Sequence, residues 1–188
     1  MSELVDKAII AAVNAHSGQT RKLSKIPYIL HPLEVANIIA TITTDENVIA
    51  AGILHDTVED TDMTPEEVRE QFGPRVAAIV ASDSEDKLST RPPEETWMQR
   101  KEESLLMLSH TKDRDVKIMW LGDKLSNIRS MYYSYVNIGD ELFNNFHQKD
   151  KKMHEWYYRT ILDYLSELSD YPAWQEYKDL VNKIFGEE

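Results

Sequence analysis

Cysteine does not occur in the 188 residues, which excludes disulfides and thiolate metal sites and accords with a reducing cytosol. Long apolar runs are missing too. None approaches the ~18 residues that a membrane span requires, and the opening Met-Ser-Glu-Leu-Val-Asp lacks the basic and apolar regions of a signal peptide. The expectation is a soluble, cytoplasmic protein with no membrane partner. Positive charge is scarce: 21 Lys and Arg stand against 33 Asp and Glu, a net charge of −12. Such a surface repels a nucleic-acid backbone and argues against nucleic acid as a partner. An anionic small substrate stays compatible if a metal and a few local cations reverse the field inside one pocket. β-Alternating runs of useful length, internal repeats and low-complexity tracts are all absent, which leaves an all-α fold. The length suits one domain with a substantial core, expected over residues 1–188.

What is present is helical spacing. Leu4, Val5, Ala8, Ile9, Ala12 and Val13 predict a first amphipathic helix that ends at Ser17-Gly18. His31-Pro32 opens a second, and Asp45-Glu46 a third that runs through Val48, Ile49 and Ile53 to His55-Asp56. Thr64-Pro65-Glu66-Glu67 forms a capping-box pattern for a short fourth helix. Gly73-Pro74 then starts a fifth. Residues 82–96 are polar with a double proline and read as an irregular connection, the best candidate for a mobile flap. Helical spacing resumes from Trp97 to Leu108 and from Val116 to Met131. A turn is expected around residues 144–152, a further helix from Met153 with its aromatics in the core, and a last one from Trp174 to Phe185 beyond Pro172.

The chemistry concentrates in Gly52-Ile-Leu-His55-Asp56-Thr-Val-Glu59-Asp60-Thr61. On a continuous helix at about 100° per residue, His55, Asp56, Glu59 and Asp60 fall within an arc of roughly 140°. Three carboxylates and an imidazole on one face repel and titrate poorly unless a cation holds them, and this donor set suits a divalent transition metal. The competing reading is a solvated acidic helix end. The apolar Val48–Leu54 run argues against it, because that run draws the segment into the core. His31 alone is a helix-start residue, and Asp123 alone is either functional or paired with Lys124 or Arg129. Taken with His55-Asp56, they complete two imidazoles and two carboxylates, a hydrolase's arrangement that suits Mn, Fe, Co or Zn. Arg21, Lys22 and Lys25 form a cationic loop, which on charge alone reads slightly better as a solvated basic loop than as a binding element.

Three boxes in order, Arg21-Lys22…Pro27-Tyr28-Ile-Leu-His31-Pro32-Leu-Glu-Val-Ala, Ala51-Gly-Ile-Leu-His55-Asp56-Thr-Val-Glu59-Asp60-Thr and Leu121-Gly-Asp123-Lys-Leu-Ser-Asn127, cover most of residues 18–130. This series resembles the HD-domain hydrolases of Rel/Spo-type alarmone enzymes, and the stand-alone small alarmone hydrolases most of all. The resemblance implies a single HD-domain helical bundle that fills the chain, without a synthetase or regulatory domain. It also implies one Mn2+ held by His31, His55, Asp56 and Asp123, with Glu59 and Asp60 positioning or deprotonating the attacking water. The implied reaction removes the 3′-pyrophosphate of ppGpp or pppGpp and releases GDP or GTP. Arg21 would pack on the guanine, Lys22 and Ser24 would lie along the same loop, and Asn127 and Ser130 would touch the sugar and phosphates. The loop is one residue longer than in the bifunctional enzymes, and Ser130 stands where threonine is frequent. Two alternatives remain: the same chemistry on another nucleotide such as NADPH, or a non-catalytic nucleotide-binding domain. A homo-oligomer also stays open.

Overall fold

The computed structural model describes residues 3–22, 24–82 and 91–187. Among them the chain is helical and holds no strand; an isolated antiparallel bridge joins Thr20 to Pro27. The all-α reading therefore holds. No described helix is long and apolar enough to cross a membrane. The chain divides into two compact units, Met1–Ser84 with Asp113–Ser126, and Glu85–Lys112 with Asn127–Glu188.

The first unit holds α1 (Glu3–Ala15), α2 (Leu30–Ala40), α3 (Glu46–Leu54), α4 (Thr57–Asp60), α5 (Pro65–Phe72), α6 (Pro74–Ala81) and the first half of α8 (Arg114–Ile138). Local chemistry sets these boundaries. The Asp45 carboxylate accepts from the Asn47 N–H at 2.8 Å and starts α3. Thr64 and Glu67 close the expected capping box at 2.8 and 3.2 Å. Gly73, at φ +90°, lets α5 stop and Pro74 begin α6 at once. The Arg75 guanidinium then forks onto Asp113 at 2.6 and 2.8 Å and also meets Asp115, which pins the start of α8 to α6.

Two glycines set the packing of the helices that matter most. A Cβ on Gly52 of α3 would collide with the end of the Ile39 side chain. A Cβ on Gly122 of α8 would sit 2.9 Å from Ile39 Cγ1 and 3.3 Å from the Val35 carbonyl oxygen. Both helices thus approach α2 more closely than any side chain would allow, around the fully buried Val35 and Ile39.

The second unit holds α7 (Pro93–His110), the rest of α8, a 3-10 segment at Gly139–Asn145, α9 (Lys151–Tyr164) and α10 (Pro172–Phe185). Sequence spacing started α7 four residues late. Pro93 is its first residue, where a missing N–H goes unnoticed, so Pro93–Thr96 form a helical turn and not the end of a flap. Residues 83–90 of that flap lie outside the described residues. The turn expected near 144–152 resolves into the 3-10 segment and an earlier α9 start, capped by Asp150 accepting from the Lys152 N–H at 2.9 Å. Tyr157 and Tyr158 are buried as anticipated, whereas Trp156 is only half-buried; Trp174 and Tyr177 of α10 are buried as well, with the Tyr177 hydroxyl donating to the Tyr158 carbonyl at 3.0 Å.

Candidate metal centre

The three separated boxes converge within the first unit. His31 is the second residue of α2, His55 follows the last residue of α3, Asp56 precedes α4, and Asp123 lies on α8. His31 Nε2 sits 3.1 Å from Asp123 Oδ1 and 3.5 Å from Asp56 Oδ2; His55 Nε2 sits 3.0 Å from Asp56 Oδ2 and 3.5 Å from Asp123 Oδ1. Donors about 2.1 Å from a common ion stand roughly 3.0 Å apart at right angles and roughly 3.4 Å apart at the tetrahedral angle. These spacings are those of a coordination shell. Ligand atoms of His31, His55 and Asp123 lie within 4.8 Å of one another, all three residues being buried. His55 Nε2 is buried and makes no hydrogen bond among the described residues, although two carboxylates surround it. Such an orphaned nitrogen fits a lone pair held for a cation.

The far side of each imidazole fixes which nitrogen faces the cluster. His55 Nδ1 donates to the Gly52 carbonyl at 2.8 Å, which assigns a proton there and turns Nε2 toward the carboxylates. His31 Nδ1 stands 2.8 Å from Ser126 Oγ, and Ser126 donates its own proton to Glu34 Oε2 at 2.7 Å. The serine oxygen is thereby left to accept from His31. Burial alone would lower the pKa of His55, yet Asp56 and Asp123 outweigh it and hold the imidazole well above its usual range. Conversely, burial would raise Asp56 and Asp123, but the imidazoles, with Lys124 beside Asp123, hold both well below the usual carboxylate range. Asp123 has both kinds of neighbour: Oδ1 faces the histidines, while Oδ2 takes Lys124 at 2.5 Å. Arg129 is occupied by Glu176 at 2.7 Å.

The four residues of the acidic box do not share one continuous helix, contrary to the expected arc. The helix breaks at His55-Asp56, and the chain restarts as the short α4. His55 is turned inward, whereas the Asp56 side chain keeps 18% of its surface exposed, the most of the four donors. The cluster is therefore most open at Asp56, and the half-buried Glu59 and Asp60 follow that residue on α4.

Tyr28, quoted in the first box but given no role, joins these groups. Its hydroxyl donates to Asp56 Oδ2 at 2.6 Å and lies 3.3 Å from Asp60 Oδ2. Burial, reinforced by Asp56 and Asp60, pushes its pKa far up, so it remains a donor. Gln19 adds a bond from Nε2 to the Asp60 carbonyl at 2.8 Å and meets His16 Nδ1 at 2.9 Å. The Arg21 guanidinium lies 5.7 Å from the Tyr28 ring centre, so this member of the cationic loop borders the cluster. Lys22 and Ser24 are exposed on that loop, and the half-buried Asn127 and Ser130 belong to the part of α8 in the second unit. Reasoning from sequence also missed Ser126 and Glu34. Their only signal was the polar stripe on α8 and the position of Glu34 one turn beyond His31.

A helical protein in which paired His and Asp side chains from three segments meet within coordination distance of one another has the arrangement of a metal-centred HD fold. The chain belongs to the HD-domain family: the family model described as "HD domain" matches residues 8–142. Among curated proteins it is 37% identical over 131 residues to the guanosine-3′,5′-bis(diphosphate) 3′-pyrophosphohydrolase of Aquifex aeolicus, covering 70% of this chain and 18% of that one. It is 35% identical over 133 residues to a GTP pyrophosphokinase of Myxococcus xanthus, covering 69% and 17%. The chain thus matches less than a fifth of the length of these curated relatives. A crystal structure of a Listeria monocytogenes protein is 33% identical with a TM-score of 0.71, over 86% of this chain and 97% of that one. A metazoan ortholog of SpoT, described as hydrolysing ppGpp with a role in starvation responses, superposes with a TM-score of 0.79 over 100% and 98% at 23% identity, a likeness of fold.

Proposed function

We propose that this chain is a metal-dependent hydrolase of the 3′-pyrophosphate of ppGpp and pppGpp. The observation that carries the proposal is the four-residue donor cluster with an acidic pair at its exposed edge. The names of the Aquifex aeolicus and Haemophilus influenzae relatives, both guanosine-3′,5′-bis(diphosphate) 3′-pyrophosphohydrolases, support the choice of substrate. The family match over residues 8–142 runs through both units and supports reading 1–188 as one HD-type phosphohydrolase domain.

In this reading His31, His55, Asp56 and Asp123 hold one divalent ion; the mixed nitrogen and oxygen set suits Mn, Fe, Co or Zn, and the resemblance to Rel/Spo-type hydrolases selects Mn2+ among them. Such an ion acidifies water and offsets phosphoryl charge. Glu59 and Asp60, at the open edge, orient the attacking water and accept its proton. Water attacks the phosphorus attached to O3′, the P–O3′ bond breaks, and the 3′-oxygen takes up a proton, giving GDP or GTP plus pyrophosphate. Arg21, Lys22 and Ser24 face the base and phosphates from the loop, and Asn127 and Ser130 contact the sugar and phosphates. The protein works in the cytoplasm, alone or as a homo-oligomer.

The test is incubation of purified protein with Mn2+ and separate samples of ppGpp, pppGpp and NADPH, with products resolved by chromatography. Pyrophosphate and GDP or GTP are expected from the first two. Turnover of NADPH alone would move the activity to that nucleotide, and no turnover of any would leave a binding domain.

A further inference from the structure

The two histidines of the cluster are held differently. His55 leans on a peptide carbonyl, a fixed and neutral acceptor. His31 leans on a hydroxyl whose proton is committed elsewhere: Ser126 Oγ donates to Glu34 Oε2 at 2.7 Å and so has only lone pairs to offer His31 Nδ1 at 2.8 Å. The Glu34 oxygen accepts from Ser126, so the direction of both bonds follows from Glu34. Ser126 is 1% exposed, and a buried hydroxyl reverses its donor only if another acceptor waits.

We infer that Ser126 and Glu34 are positioning residues for the metal centre: the Glu34 carboxylate orients the Ser126 hydroxyl, and the Ser126 oxygen holds His31 with its Nε2 lone pair toward His55, Asp56 and Asp123. This rests on the reading of His31 as a ligand. A carboxylate reached through one hydroxyl also makes the imidazole a better donor, because negative charge behind the N–H strengthens the lone pair opposite. His31 is accordingly the adjustable ligand and His55 the fixed one. Sequence alone carries this as Glu34 three residues after His31 and Ser126 three after Asp123, spacings that place each residue about one helical turn from a donor.

The experiment measures Mn2+ affinity, by electron paramagnetic resonance of the free ion, in wild-type protein and in Ser126→Ala, Glu34→Ala and Glu34→Gln. Removing an outer partner of a metal-bound histidine typically weakens metal binding roughly 10- to 100-fold. Ser126→Ala should fall in that range and shift the visible spectrum of the Co2+-loaded protein. Glu34→Ala should fall less. Glu34→Gln, whose amide oxygen still accepts from Ser126, should recover part of the loss. Ser126→Ala leaves the buried His31 N–H unpaired and should lower the melting temperature in chelator, so the Co2+ spectrum, read on folded protein, is the measurement that separates positioning from folding. Wild-type Mn2+ affinity and Co2+ spectrum in Ser126→Ala would overturn the inference. His31→Ala distinguishes the two levels: loss of metal there together with wild-type affinity in Ser126→Ala defeats the relay alone, whereas metal retained in His31→Ala defeats the ligand assignment beneath it.

Discussion

Each unit of this protein buries histidine, and the two do opposite things with it. In the first, His31 and His55 face two carboxylates, which hold His55 well above the usual imidazole pKa against the effect of burial. In the second, His154 is 5% exposed among Trp97, Phe143 and Phe146, with ring centres 5.0 to 5.6 Å away. Burial, helped by Lys101, holds it below the ordinary value, despite Nε2 donating to the Gln148 carbonyl at 2.8 Å. Burial alone therefore does not mark a ligand. What separates the two is what the second nitrogen meets: a gap ringed by carboxylate oxygens, or the aromatic packing of a core.

The sharpest way to break that contrast is to delete members of each set. His55→Ala or Asp56→Ala should lose both bound metal and hydrolysis, because the remaining donors keep their charges uncompensated. His154→Phe should keep full metal and turnover. Elemental analysis of the purified variants decides between them, and a full metal complement in Asp56→Ala would remove that residue from the shell. Next in size, Glu59→Gln combined with Asp60→Asn should leave metal in place and lower turnover roughly 100-fold or more, the scale of a lost general base. Near-normal turnover would send the proton elsewhere.

A smaller effect is expected from the cationic loop. Arg21→Ala should raise the Michaelis constant for ppGpp several-fold without changing metal content, by an interaction of about 1–3 kcal/mol. Arg21→Lys then tells charge from shape. If lysine restores binding, charge suffices; if it does not, the planar guanidinium is required.

The smallest signal is in the pH dependence of stability, where the two regions should slope in opposite directions. In chelator-treated protein, the raised pKa of His55 means that its contribution is whole below the unfolded value of 6.5 and is lost as pH rises through the folded one. Asp56 and Asp123, held low, contribute fully above 3.8 and lose that contribution as pH falls through their folded values. The cluster thus stabilises the metal-free fold most between about pH 4 and 6.5. His154, held low, makes the folded state lose ground as pH falls below 6.5. Melting curves on metal-free wild type and His154→Phe check this: the variant should lose only the slope below 6.5.

How much of this was legible in the residues follows from the range of the forces involved. Helix existence and the capping box at Thr64 are local, and they were read directly. The start of α7 was not, because a double proline within a polar stretch looks like a connection until its second member takes the first helical position. The three boxes announced His31, His55, Asp56 and Asp123 as candidates, while their convergence depends on contacts between Gly52, Gly122 and Ile39 that no periodicity reveals. Tyr28 and Ser126 were missed for the same reason. Their partners lie 28 and 95 residues away in sequence, and nothing in a tyrosine or serine itself says that its proton is engaged. The single arc assumed for His55 to Asp60 failed because a helix can end between two ligands and begin again.

The close approach at Gly52 and Gly122 makes one side chain a shared spacer. Ile39 on α2 stands against α3 at Gly52 and against α8 at Gly122, so the separation of the three segments that carry His31, His55 and Asp123 is a matter of aliphatic volume as well as of helix geometry. A change confined to hydrocarbon at that position is therefore felt by polar side chains on three different segments.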